Sequence, residues 1–196
     1  ANDYDISNIQ EIKFPVYNLC INSSQNMWMA VDLPDKTLAT IDLNVLPKNL
    51  PVWKFLKSPG LPVSDISGLC ENQNSVWVTS GNANIQLLQY LVSEDQWKSI
   101  NLKELGGDNV QTAIVRAADG TVWIGGHSKL YSLTSSGWRV YQYPDVILPL
   151  SYIKIYPDSQ HNLFLFGMGG NLMKLDLSGN NFRTYLGLNF NCNTPD

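Results

Sequence analysis

The chain has 196 residues, 44% apolar and 15% charged, with a net charge of −4. That length holds one well-buried domain and little more. A weak acidic balance without any basic run excludes an electrostatic nucleic-acid partner, and apolar stretches no longer than a strand exclude a membrane-spanning helix. Asn, Ser, Gln and Gly stand in for the missing charge, a composition that suits a turn-rich β protein.

Four similar units follow one another. Their cores are Met27-Trp28-Met29, Val76-Trp77-Val78, Val122-Trp123-Ile124 and Leu163-Phe164-Leu165, with steps of 49, 46 and 41 residues between the aromatics. A second aromatic closes each unit: Trp53, Trp97, Trp138 and Phe182. A period in the forties built from short alternating runs predicts a β-propeller, all-β, with four blades of four antiparallel strands. The whole chain, 1–196, reads as one such domain, with blades at about 10–57, 61–103, 109–146 and 149–188.

In the first blade the strands are expected at 14–21, 27–31, 37–43 and 52–56, and in the second at 66–70, 75–79, 85–91 and 96–102. Leu102 to Leu105 is the one hint of a helical turn, ended by Gly106-Gly107. The third blade is the clearest. Its strands run 110–116, 121–125, 129–133 and 138–143, and Asp119-Gly120 predicts a tight hairpin turn with positive φ at both residues. The fourth blade has strands at 152–156, 162–167, 172–177 and 182–186. Inner strands such as Val76-Trp77-Val78 are apolar throughout because a blade is covered on both faces. The aromatics are therefore packing between blades rather than platforms for a ligand.

Cys20, Cys70 and Cys192 have no C-x-x-C spacing and are odd in number, so neither a metal site nor a disulfide framework is expected. Cys20 and Cys70 read as core thiols, and a Cys20–Cys192 bridge would need an oxidising compartment. His127 and His161 fall in turns at opposite ends of neighbouring blades and cannot share an ion. No nucleophile elbow is present, and Gly106-Gly107 and Gly169-Gly170 are not followed by a helix that could cradle phosphate. The sequence thus predicts no catalysis, no metal and no cofactor. Asn22-Ser23-Ser24 is a glycosylation sequon, relevant only in a eukaryotic secretory setting. The chain begins at Ala1 rather than Met, which fits removal of a signal peptide or truncation.

Asn109-Val110-Gln111 through Asp119-Gly120-Thr121-Val122-Trp123-Ile124-Gly125-Gly126, then Leu130-Tyr131-Ser132-Leu133 and Trp138, resembles the two-component-regulator propeller repeat. Gly60-Leu61-Pro62-Val63-Ser64-Asp65-Ile66, leading to Val76-Trp77-Val78, resembles the opening of the same repeat. Blade four departs from it, with Phe164 for Trp and Gln160-His161 where Asp-Gly would stand. The resemblance implies the propeller fold and an extracytoplasmic setting: periplasmic, secreted or lipoprotein-anchored. It transfers no site residue.

Loops between second and third strands share one end of a propeller, and binding usually lives in such clusters. They supply the candidate contacts Asp32, Asp35, Asn82, Asn84, His127, Lys129, Met168 and Asn171. Amides, one histidine, lysines and open backbone suit hydrogen bonding to a peptide or a sugar, although turn geometry alone also accounts for such residues. The expected function is an interaction module with a protein partner, a subunit or assembly factor of an envelope complex; a glycan or small-molecule binder is the alternative. Whether four blades close a ring or form half of a larger one with an exposed edge stays open at this level.

Overall fold

The computed structural model describes residues 16–21, 25–33, 36–45, 53–57, 59–84, 86–107, 110–127, 129–144, 154–158, 162–167, 172–176 and 181–185. These form sixteen strands in four sheets, each an antiparallel meander whose strands pair in chain order. Blade 1 holds β1 (Val16–Ile21), β2 (Asn26–Leu33), β3 (Lys36–Asp42) and β4 (Lys54–Leu56). Blade 2 holds β5 (Ile66–Asn72), β6 (Ser75–Ser80), β7 (Leu87–Leu91) and β8 (Gln96–Ile100). Blade 3 holds β9 (Gln111–Arg116), β10 (Val122–Gly126), β11 (Lys129–Thr134) and β12 (Gly137–Gln142). Blade 4 holds β13 (Lys154–Pro157), β14 (Asn162–Phe166), β15 (Leu172–Asp176) and β16 (Asn181–Tyr185). Among the described residues the only helical pieces are 3-10 turns, including Leu102–Leu105, which the left-handed Gly106 (φ 76) terminates.

The second strand of each sheet carries the core because both its faces are covered. Every residue of β6 and of β10 is buried. Side chains alternate across the strand, so Trp77 faces blade 3 while Val76 and Val78 face blade 1. Trp28 packs with Val76 and Val78, Trp77 with Val122 and Ile124, and Trp123 with Leu163 and Leu165. Each aromatic thus seats between the aliphatic neighbours of the next blade's aromatic. The closing aromatics join these layers, with Trp138 edge-on to Trp77 at 6.1 Å and Trp97 against Tyr90 at 5.1 Å. Trp28, Trp77 and Trp123 are packing residues, as the pattern predicts. Phe164 is the exception: it is only half-buried.

Polar clips tie blade to blade where the apolar stack ends. Ser67 Oγ donates to the Gln111 carbonyl at 2.7 Å, and the Ser80 N–H donates to Gln111 Oε1 at 3.0 Å. On the outer rim Lys54 Nζ donates to Tyr90 Oη at 3.3 Å and lies 3.4 Å from Asp95, to which Tyr90 also donates. Both ends of that ion pair are exposed, so solvent screening leaves it little weight in the stability of the fold.

The Asp119-Gly120 turn corrects one expectation. Gly120 is left-handed (φ 85), but Asp119 is not. The Gly120 N–H donates to the Ala117 carbonyl at 3.0 Å and the Thr121 N–H to Asp119 Oδ1 at 2.9 Å. The central pair is therefore Ala118-Asp119, followed by a left-handed glycine, a hairpin one register away from the two-residue turn.

Cys20 and Cys70 are free thiols; Cys20 packs against the blade 1–blade 2 core, and Cys70 is buried. Burial, helped at Cys20 by the nearby Glu71 carboxylate, pushes both up to about 12 from 9.0. Folding therefore favours the neutral thiol. That contribution is fully present below the unfolded pKa of 9.0 and is lost as pH rises from there towards 12. At pH 8 neither thiol should react with a colorimetric disulfide reagent until denaturant is added; rapid reaction of both in the native chain would contradict their burial. Cys192 lies outside the described residues.

Candidate functional site

The meander sends the loops of each blade to two ends. At the loop end lie the connections between second and third strands and the links from blade to blade; at the hairpin end lie the turns joining first to second and third to fourth strands.

At the loop end Asn82 is held within its own turn. Its Nδ2 donates to Asp65 Oδ2 at 2.9 Å, its Oδ1 accepts the Asn84 N–H at 3.0 Å, and its N–H donates to Ser80 Oγ at 3.0 Å. It borders a small recess of about 290 Å³ lined by Ser64, Asp65, Ile66, Ser67 and Gly81. His127 is exposed, and its N–H donates to the Val110 carbonyl at 3.1 Å. Gly126 before it is required by space, since a Cβ there would stand 2.8 Å from the Lys129 carbonyl. Lys129 reaches towards the turn at Gly106, where an added Cβ would stand 3.3 Å from its Nζ. Among the described residues, Asn82 and Asn84 pair with each other, while His127 and Lys129 bracket the loop of the next blade. Asp32 belongs to β2, but its side chain lies outside the described residues, as do Asp35, Met168, Asn171 and His161.

The larger polar hollow is at the hairpin end, between blades 2 and 3. It measures about 470 Å³ and is lined by Asn72, Gln73, Ser75, Gln89, Asp119, Thr121, Thr134 and Ser135, with Trp77 at its base. Asn72 Nδ2 donates to the Gly120 carbonyl at 3.0 Å, so one turn holds the other and fixes the cleft's width. The Asn72 Oδ1 is a buried acceptor without a partner among the described residues. Gln89 Nε2 donates to Ser75 Oγ at 2.8 Å on one wall. Asp119 gives the cleft its formal negative charge. Trp77 is 3% exposed and offers no ring face to a sugar.

Sequence reasoning missed this cleft because its walls come from turns of different blades, Asn72 and Gly120 lying 48 residues apart. The available signal was that Asn72-Gln73-Asn74 and Asp119-Gly120 occupy the same turn in successive repeats.

Among the described residues no cluster of three or more His, Cys, Asp or Glu side chains could hold a metal, and no helix is long and apolar enough to cross a membrane.

No protein-family model matches the sequence, and no curated protein matches it. Solved structures do match. Virginiamycin B lyase from Staphylococcus aureus, in a catalytically inactive form with quinupristin, superimposes with a TM-score of 0.67 at 14% identity, over 90% of this chain and 57% of that one. The extracellular domain of the hybrid two-component system BT3049 from B. thetaiotaomicron gives 0.66 at 16% identity, over 88% and 23%. PorZ, a surface component of the type-IX secretion system of Porphyromonas gingivalis, gives 0.55 at 12% identity, over 85% and 26%. The chain therefore spans little more than half of the lyase and about a quarter of the other two. A two-component extracellular domain among these neighbours agrees with the repeat resemblance. At such identities the likeness speaks to architecture: the chain is a β-propeller in which four blades of four strands follow one another.

Proposed function

We propose that the chain is a non-catalytic, extracytoplasmic interaction module that binds an extended segment of a partner protein, as a subunit or assembly factor of a larger envelope complex. The observation that carries this reading is the hairpin-end cleft, whose amides and hydroxyls match the donors and acceptors of a peptide backbone. Asp119 favours a neutral or basic segment over an acidic one. The extracellular setting of the BT3049 domain and the surface role of PorZ support the compartment. The same fold carries an enzyme in the lyase, so the non-catalytic reading rests on the side chains: thiols pushed up to about 12 are poor nucleophiles.

A glycan is the second reading, because amides and hydroxyls also suit sugar hydroxyls; the buried face of Trp77 weighs against it. The loop-end set around Asn82, Asn84, His127 and Lys129 is the competing contact surface. A random peptide phage library and a glycan array, both probed with the purified chain, separate these outcomes. Peptide binders are expected, weakened at least tenfold by Ser135→Trp, which fills the cleft, and unchanged by Asn84→Trp. The reverse pattern would move the site to the loop end, and sugar hits without peptide binders would replace the proposal with the glycan reading.

A further inference from the structure

The hairpin-end cleft between blades 2 and 3 is lopsided in what it offers a ligand. Its amide donors are engaged within the protein: Asn72 Nδ2 donates to the Gly120 carbonyl at 3.0 Å, and Gln89 Nε2 to Ser75 Oγ at 2.8 Å. The oxygens of the same two side chains are not. Asn72 Oδ1 is a buried acceptor with no partner among the described residues, and Gln89 Oε1 takes no hydrogen bond there either. Asp119 repeats the pattern. Its Oδ1 accepts the Thr121 N–H at 2.9 Å, which leaves Oδ2 open, and among the described residues its carboxylate has no cationic partner.

Asp119 is the one formal charge in the lining. Two cations stand nearby, Lys98 beside Gln89 in register and Arg116 at the end of β9. Both are exposed and neither is paired with Asp119, so its charge is not cancelled. Blade 3 thus offers a carboxylate and blade 2 an amide oxygen, while the uncompensated Asn72 Oδ1 adds its partial negative charge to the same wall. Such a set suits a group that only donates. A guanidinium presents five N–H donors in one plane, no acceptor and a fixed positive charge, whereas an ammonium is a compact charge with three donors. Trp77 and Leu133 complete the lining, and apolar surface of that kind takes the methylenes of a long basic side chain.

We propose that the cleft is an arginine subsite: it seats one guanidinium of the bound segment between the Asp119 carboxylate of blade 3 and the Gln89 amide oxygen of blade 2. This rests on the binding of an extended partner segment in the cleft and adds which side chain that segment must bring. An aliphatic side chain in the same place would leave the Asp119 charge unpaired and both amide oxygens without donors. An acidic one would add repulsion to that loss. Selectivity therefore comes from what the cleft leaves unsatisfied as much as from what it holds.

Fluorescence anisotropy with peptides selected from the random library tests this. The selected sequences are expected to share an arginine. Replacing it by citrulline, which keeps the shape and loses the charge, should weaken binding about tenfold, with lysine between the two. Asp119→Asn should weaken the arginine peptide by the same factor and the citrulline peptide little further, the mark of a direct pair. Asparagine keeps an oxygen for the Thr121 N–H, so the turn is retained; Asp119→Ser is the second uncharged variant if it is not. Peptides displaced by Ser135→Trp that share no basic residue, or whose arginine is indifferent to Asp119→Asn, overturn the subsite and leave peptide binding in the cleft standing. A library without binders overturns both.

Discussion

Trp123→Ala is expected to destabilise the fold by about 3–5 kcal/mol, while Phe164→Ala, at the equivalent position one blade on, should cost less than half as much. The difference lies in what covers each ring. Trp123 is 3% exposed and sits in a cluster with Leu163, Leu165 and Met173 of the next blade, so its removal leaves a cavity walled by both sheets. Phe164 has one open side, where Lys174 Nζ lies 5.7 Å from the ring centre, and water fills the space its truncation leaves. Urea unfolding of both variants measures the contrast. Equal losses would mean that blade 4 is covered within a single chain.

The second large effect falls on Gln111. This side chain is fully buried, and its Oε1 accepts the Ser80 N–H, while its own carbonyl accepts the Ser67 hydroxyl. Gln111→Ala keeps the carbonyl but orphans the Ser80 N–H and empties the side-chain volume, so a loss of about 2–4 kcal/mol is expected. Gln89→Ala, which removes a hydrogen bond from a half-buried wall, should cost no more than about 1 kcal/mol. Thermal unfolding of the two variants distinguishes a clip between blades from an ordinary surface amide. A small loss at Gln111 would show that the blades are held by the apolar stack alone.

The strands were legible because alternation and a repeated aromatic are local signals, and Val76-Trp77-Val78 cannot bury both faces except inside a stack. The Asp119-Gly120 hairpin was legible as a turn but not in its register. Asp-Gly serves equally as the centre of a two-residue turn and as the last positions of a longer one, and pairing with Ala117 decides between them. The loop-end candidates were placed by topology, yet topology does not reveal that Asn82 is committed to Asp65 and Asn84. The hairpin-end cleft depends on two turns meeting across blades, which no single repeat encodes.

Hydrogen exchange on the chain tests the four-blade stack most directly. Amides of β6 and β10, buried on both sides, should exchange slowest, with β1 and β13 measurably faster than the corresponding strands β5 and β9. Protection of β1 and β13 equal to that of β5 and β9 would contradict the exposure of Leu19, Ile21 and Tyr156 on those end strands.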